Sequence, residues 1–154
     1  RECRGKSEKE NAWRIFSKYH YLDHSLNYAA RVFVGYVNDD IAGLVAVLPQ
    51  PGVTLDLFRI TRCVVLPDFQ GLGLVNIMNE YIGELYFKNK KRLSIVTTHP
   101  GLVRSYCKSS KWKLTNYNNG IKKEINFDTI KLNTRLKASF IYLPIGYIKG
   151  EWEI

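Results

Sequence analysis

Hydrophobic positions along this chain change period several times, and each change marks an element. Trp13, Phe16 and His20 recur at three- and four-residue intervals behind Ser7-Glu8-Lys9-Glu10, a Ser-x-x-Glu string of capping-box form, so a first helix is predicted to about Tyr19. The segments 31–37 and 41–48 are β-rich runs joined by Asn38-Asp39-Asp40, the composition of a hairpin turn. Pro49-Gln50-Pro51-Gly52 forces a loop, because proline cannot continue a ladder and holds the residue before it extended. A long strand follows over 55–66, with Arg59 and Arg62 at an odd separation and therefore expected on opposite faces. Leu74, Ile77, Met78, Tyr81, Ile82 and Leu85 return to helical spacing, predicting a helix from near Gly71 to about Phe87. The β-branched run 93–98 is predicted to lie parallel to the strand before that helix. A short helix over 102–109 comes next. Asn118-Asn119-Gly120 then signals a hairpin between 113–117 and 121–127, a linker covers 129–137, and a β-like run closes the chain over 138–148.

Chemistry concentrates where the long strand becomes the main helix. Cys63-Val64-Val65-Leu66 is a short apolar run that Pro67 ends, since proline has no N–H for a ladder. The helix then starts across Gln70-Gly71-Leu72-Gly73. The first N–H groups of a helix have no internal partner and carry the positive end of its dipole, and glycine lets a phosphate come close to them. A pyrophosphate fits such a cradle. The spacing excludes two common readers of that group. A dinucleotide fingerprint needs a third small residue where Asn76 stands, and the Gly-Lys-Ser/Thr ending of a P-loop is absent.

With Gln70, Gly73 and Val75 at its three positions and Gly71 as an additional glycine, the stretch resembles the acyl-CoA motif of the GNAT superfamily of N-acetyltransferases. Val75 departs from the usual Gly or Ala. The resemblance implies an α+β, three-layer fold: a mixed central sheet splayed between its fourth and fifth strands, helices on both faces, and a pantetheine arm in the gap. It implies acetyl-CoA as co-substrate, with Val64, Val65 and Leu66 along the pantetheine and Gln70, Gly71, Leu72, Gly73, Leu74 and Val75 around the pyrophosphate. An N–H near Val65 would polarise the thioester carbonyl. The acetyl group would pass directly to an amine acceptor in a ternary complex, with His20 or His99 as base because an imidazole titrates near neutrality. Members of the superfamily place a tyrosine ahead of a Gly-Phe pair to protonate the departing thiolate. Tyr106 is the match, with Trp112 for the aromatic and Ser110-Lys111 where glycine is usual; counting back from Trp112 lands instead on Cys107. Tyr-His-Tyr-Leu at 19–22, Thr-His-Pro at 98–100 and Ala-Ser-Phe at 138–140 are similar to phage and mobile-element GNAT-like proteins related to the Mom DNA-modification proteins.

Composition narrows the setting. A chain of 154 residues is one domain in length, and no apolar run approaches the ~20 residues a bilayer span needs, so the expectation is a single domain over 1–154 with no membrane. The opening residues Arg1 to Lys6 are too polar for a signal peptide, and three cysteines without CxxC spacing argue against a disulfide framework or a metal site, which points to a reducing cytoplasm. The net charge of +9 suits anionic partners, CoA and nucleic acid alike. Lys122, Lys123, Lys131, Arg135, Lys137 and Lys149 interleave with Tyr117, Phe127, Phe140, Tyr142 and Tyr147, a mix that also fits a nucleic-acid binder or modifier through phosphate contact and stacking.

Overall fold

The computed structural model describes residues 1–20, 25–50, 55–117 and 137–144. Helix α1 (Gly5–Phe16) runs on through a 3₁₀ turn to Tyr19 and is followed by strands β1 (Arg31–Val37), β2 (Asp40–Pro49) and β3 (Leu57–Val65). Helix α2 (Leu74–Lys88), strand β4 (Arg92–Thr97), helix α3 (Pro100–Lys108) and strands β5 (Trp112–Tyr117) and β6 (Ala138–Tyr142) complete the described chain. The sheet order is β1-β2-β3-β4-β6-β5. Every pairing is antiparallel except β3 with β4, and α2 supplies the crossover that a parallel pair requires.

Two apolar cores fill the faces. The larger lies under α2 and α3 and joins Val45, Ile60, Ile82, Tyr86, Ile95 and Phe140, among others. The smaller lies under α1, where Trp13 and Phe16 close over Val32, Leu44, Ala46 and Val64. Each large apolar side chain buried this way contributes about 1.5–3 kcal/mol, which is why the amphipathic faces of α1 and α2 dock rather than fray. Gly83 on α2 is required by packing: a Cβ there would lie 2.5 Å from Cγ of the Tyr142 ring.

Three sequence expectations are corrected. Ser7 and Glu10 form no capping box, because α1 begins at Gly5; the Arg4 N–H is met by the Glu8 carboxylate instead. Hydrogen bonds of Arg1 and Cys3 to β1, with Glu2 bridged to Phe33, fix the chain just ahead of the helix and so set its start. Arg59 and Arg62 do not face opposite sides. Ala46 pairs with Arg62 and the next residue, Val47, pairs with Ile60, so Thr61 is an extra residue that inverts the alternation. In the last run the strand is Ala138–Tyr142 and stops before Leu143, while 145–148 lie outside the described residues. The partner segment 121–127 of the expected hairpin, the linker over 129–136 and Tyr21 to His24 lie outside the described residues.

Candidate active-site cleft

Strands β3 and β4 share four register pairs, from Leu57 with Arg92 to Ile60 with Ile95, and then part. Beyond that point β3 continues along β2 to Val65, while Val96 and Thr97 of β4 pair with Ser139 and Ala138 of β6. If the short Arg1–Cys3 ladder on β1 is counted as an edge strand, the parting lies between the fourth and fifth strands. The opening is a cleft of about 880 Å³. Thr61 to Val65 form one wall, Ile95 to His99 the other, and residues 69–71 and 73–76 lie at its end.

The backbone facing the gap follows from the ladder. Leu66 donates its N–H to the Ala42 carbonyl at 2.9 Å, and Val64 pairs with Leu44 two residues earlier, so these two residues turn their peptide groups toward β2. Alternate residues turn the other way, which directs the N–H and C=O of Cys63 and Val65 toward the gap. The Gln70 side-chain amide donates to the Val65 carbonyl at 3.3 Å. Leu66 does not line the cleft, and its carbonyl accepts the Phe69 N–H, so its expected place on a pantetheine arm passes to Cys63. Val64 keeps a place on the cleft wall, but its peptide groups point away.

Past Pro67–Phe69, a 3₁₀ turn, the chain coils through Gly71 at φ +82° and Gly73 at φ +71° before α2 begins at Leu74. Helix α2 thus starts three residues later than its spacing predicts. Among the described residues no acceptor meets the N–H groups of Gly71, Leu72, Gly73, Leu74 and Val75. Five successive free amides at a helix N-terminus make an anion site. Among the described residues a Cβ at either glycine would meet nothing within 4 Å, and both glycines line the cleft.

No protein-family model matches this chain, and no curated protein matches it either. Solved structures do. The ribosomal-protein-S18-alanine N-acetyltransferase of Escherichia coli is similar with a TM-score of 0.63 and 14% identity, covering 100% of both chains. A Bacillus subtilis acetyltransferase in complex with CoA gives 0.56 and 14% over 76% of this chain and 78% of its own. A GNAT family acetyltransferase from Elizabethkingia anophelis with acetyl-CoA bound gives 0.54 and 18% over 75% and 77%. This chain has the GNAT fold.

Within that fold the expected catalytic residues separate. His20 and Tyr19 line the cleft, with the His20 ring 5.8 Å from that of Trp13. His99 lines it too, but as the N-cap of α3: its Nδ1 accepts the Leu102 N–H at 3.3 Å, which leaves Nε2 as the ring nitrogen without that backbone contact. Tyr106 is not on the cleft wall. It is 1% exposed, its ring packs 4.7 Å from Trp112 and 5.3 Å from Phe140, and its hydroxyl accepts a hydrogen bond from Asn79 Nδ2 at 2.6 Å. Burial raises its pKa far above the usual phenol range. The tyrosine therefore belongs to the core. Asn79, which no motif singles out, is wholly buried and links Tyr106 to Cys63, whose thiol donates weakly to Asn79 Oδ1 at 3.8 Å. Cys63 opens on the cleft through its backbone while its thiol is turned inward, and burial pushes that thiol up to about 12. It is an inert thiol. Phe140 and Tyr142 are core residues as well, so neither is available to stack on a base; the tail cations Lys122, Lys123, Lys131, Arg135 and Lys149 lie outside the described residues.

Proposed function

We propose that the protein is an N-acyltransferase that moves an acetyl group from acetyl-CoA to an amine. The observation that carries the reading is the pairing of five free amides, from Gly71 to Val75, with a gap between parallel strands that starts beside them. The amides suit the pyrophosphate, and the gap-facing peptide groups of Cys63 and Val65 suit the amide-bearing pantetheine arm. The Val65 N–H, directed into the gap, would donate to the thioester oxygen as negative charge builds on it. The amine nitrogen attacks the acetyl carbon, the C–S bond breaks, and the amine proton passes to His20, directly or through one water. With Tyr106 committed to Asn79 in the core, the departing thiolate takes its proton from solvent at the open cleft.

Calorimetric titration with CoA and with acetyl-CoA tests the binding half. Thiol release from acetyl-CoA over a panel of amines, comparing wild type with His20→Gln, tests the chemistry. The expected result is CoA binding that survives His20→Gln and turnover that does not. Absence of CoA binding by the wild-type protein would refute the reading. A nucleic-acid substrate or partner has less support, because the aromatic members of the basic tail that the structure describes include Phe140 and Tyr142, both buried.

A further inference from the structure

Gly35 of β1 and Gly43 of β2 stand directly opposite each other, and Gly43 is in turn paired with Val65 of β3. Glycine inside a strand gives up cross-strand contact, so two of them side by side mark a place where another group comes close to the backbone. The register of β1 and β2 slips just beyond the pair, where Ala42 is surplus, but neither glycine has a positive φ, so the bulge does not require them. The group that comes close is the thioether of Met78. A Cβ at Gly35 or at Gly43 would lie 2.7 Å from its Sδ, and Met78 is 8% exposed. An unbranched, adaptable side chain suits a slot of this kind.

The slot joins the two halves of the proposed cofactor site. Met78 is on α2, four residues and about 6 Å of rise from Leu74, where the helix that carries the cradle amides begins. At the other half, Val65 directs its N–H into the gap and sends its side chain to the slot, since a Cβ at Gly43 would lie 3.5 Å from Val65 Cγ2. Pairing makes Gly35, Gly43 and Val65 level across three strands. Polar ties of α2, from Lys111 to Glu80 and from the Tyr142 hydroxyl to Glu84, are on another flank of the helix, so Met78 keys the flank over β1 and β2. None of Gly35, Gly43 and Met78 lines the cleft.

Resting on the acyltransferase reading, we propose that Met78 and the Gly35–Gly43 pair are positioning residues for acetyl-CoA. The thioether seated on the two glycines fixes how far the start of α2 stands from β3. It thereby fixes the span between the amides that take the pyrophosphate and the Val65 N–H that takes the thioester oxygen. A methyl group at residue 43 must displace Met78 or Val65, and either shift moves one end of that span against the other.

The test is Gly43→Ala, titrated calorimetrically with CoA, which spans both ends, and with ADP, which carries the pyrophosphate without the arm. CoA should bind about tenfold more weakly, as expected for one hydrogen bond pulled out of line, and ADP should stay within about threefold of wild type. With an amine that the wild type acetylates, kcat should fall as far as about 100-fold, because misplacing reacting atoms by about 1 Å is enough for that. Val32→Ala, which opens a cavity in the core under α1, controls for lost stability and should leave the ratio of the two affinities unchanged. In a Met78→Ala background the methyl group at residue 43 fills vacated room, so the same substitution should there raise both stability and CoA affinity. That reversal carries the test even if Gly43→Ala alone does not fold. A Gly43→Ala variant that weakens both probes alike, that changes neither, or that loses as much CoA affinity without the thioether as with it would overturn the proposal. A wild-type protein that takes up no CoA while the reversal in stability persists would keep the joint and overturn the acyltransferase reading instead.

Discussion

Alanine at Gly71 or Gly73 separates the cradle's chemistry from its conformation. Both glycines hold positive φ, and a Cβ at either meets nothing within 4 Å, so the substitution adds no clash and acts only through backbone preference. Holding a non-glycine residue in the left-handed region costs about 1–2 kcal/mol. For a domain of this size each kcal/mol lowers the melting temperature by about 2–4 °C. Gly5 is an internal control, because it has φ +74°, equally open space, and a place at the start of α1 outside the cleft lining. All three alanine variants should therefore lose similar stability. They should differ in ligand affinity. Any relaxation of residue 71 or 73 toward ordinary φ re-aims the flanking amides, and each hydrogen bond lost to a charged group is worth about 1.5–3 kcal/mol, tenfold or more in Kd. Differential scanning calorimetry gives the first quantity and titration with CoA the second. The reasoning is refuted if the Gly71 and Gly73 variants bind CoA as weakly, or as tightly, as the Gly5 variant does at equal cost in stability.

Three further outcomes follow from the packing. Tyr106→Phe leaves Asn79 Nδ2 buried without its partner, so it should lower stability by about 1–3 kcal/mol in denaturant titration while kcat stays close to wild type; a collapse in kcat at unchanged stability would return the hydroxyl to the reaction. Gly83→Ala drives a methyl group into the Tyr142 ring and should cost about 1–3 kcal/mol as α2 is pushed off β6, and a neutral result in the same titration would show that the helix shifts freely. The third concerns alkaline pH. Burial raises the Cys63 thiol to about 12 and raises the Tyr106 and Tyr142 phenols, so at high pH the unfolded chain gives up protons that the folded chain keeps. Their contribution is intact below the unfolded thiol's pKa near 8.5 and is lost as pH climbs from there through about 12. Unfolding free energies measured from pH 8 to 11 should fall steadily, with less slope in Cys63→Ala; a flat profile would contradict the burial of these groups.

What the sequence discloses about this site divides along a physical line. The cradle was readable because its chemistry is carried by the backbone. A proline stop, two glycines and a helix start fix where free N–H groups gather, and a shift in the start from Gly71 to Leu74 moves no amide out of the set. The parting of the strands follows from the resemblance and from the crossover, both of which survive errors of a residue or two. Side-chain chemistry tolerates no such slip. One residue along α3 turns a side chain by about 100°, enough to take a tyrosine hydroxyl from a cleft to a core, and Trp112 shows which way the turn went: its ring lies against Tyr106, placing that residue on the packed face. One residue along a strand turns a side chain to the other face. Counting alone puts Arg59 and Arg62 on opposite faces, and nothing within 55–66 betrays the extra residue, because a bulge is set by the partner strand: Thr61 is surplus only when Ala46 and Val47 are laid against Arg62 and Ile60. The face on which Arg59 and Arg62 lie is therefore specified by β2 as much as by the strand that bears them. A substitution in β2 that removed the bulge would move Arg59 to the opposite face, among the residues of the core under α2, and should lower stability without touching a residue of the cleft.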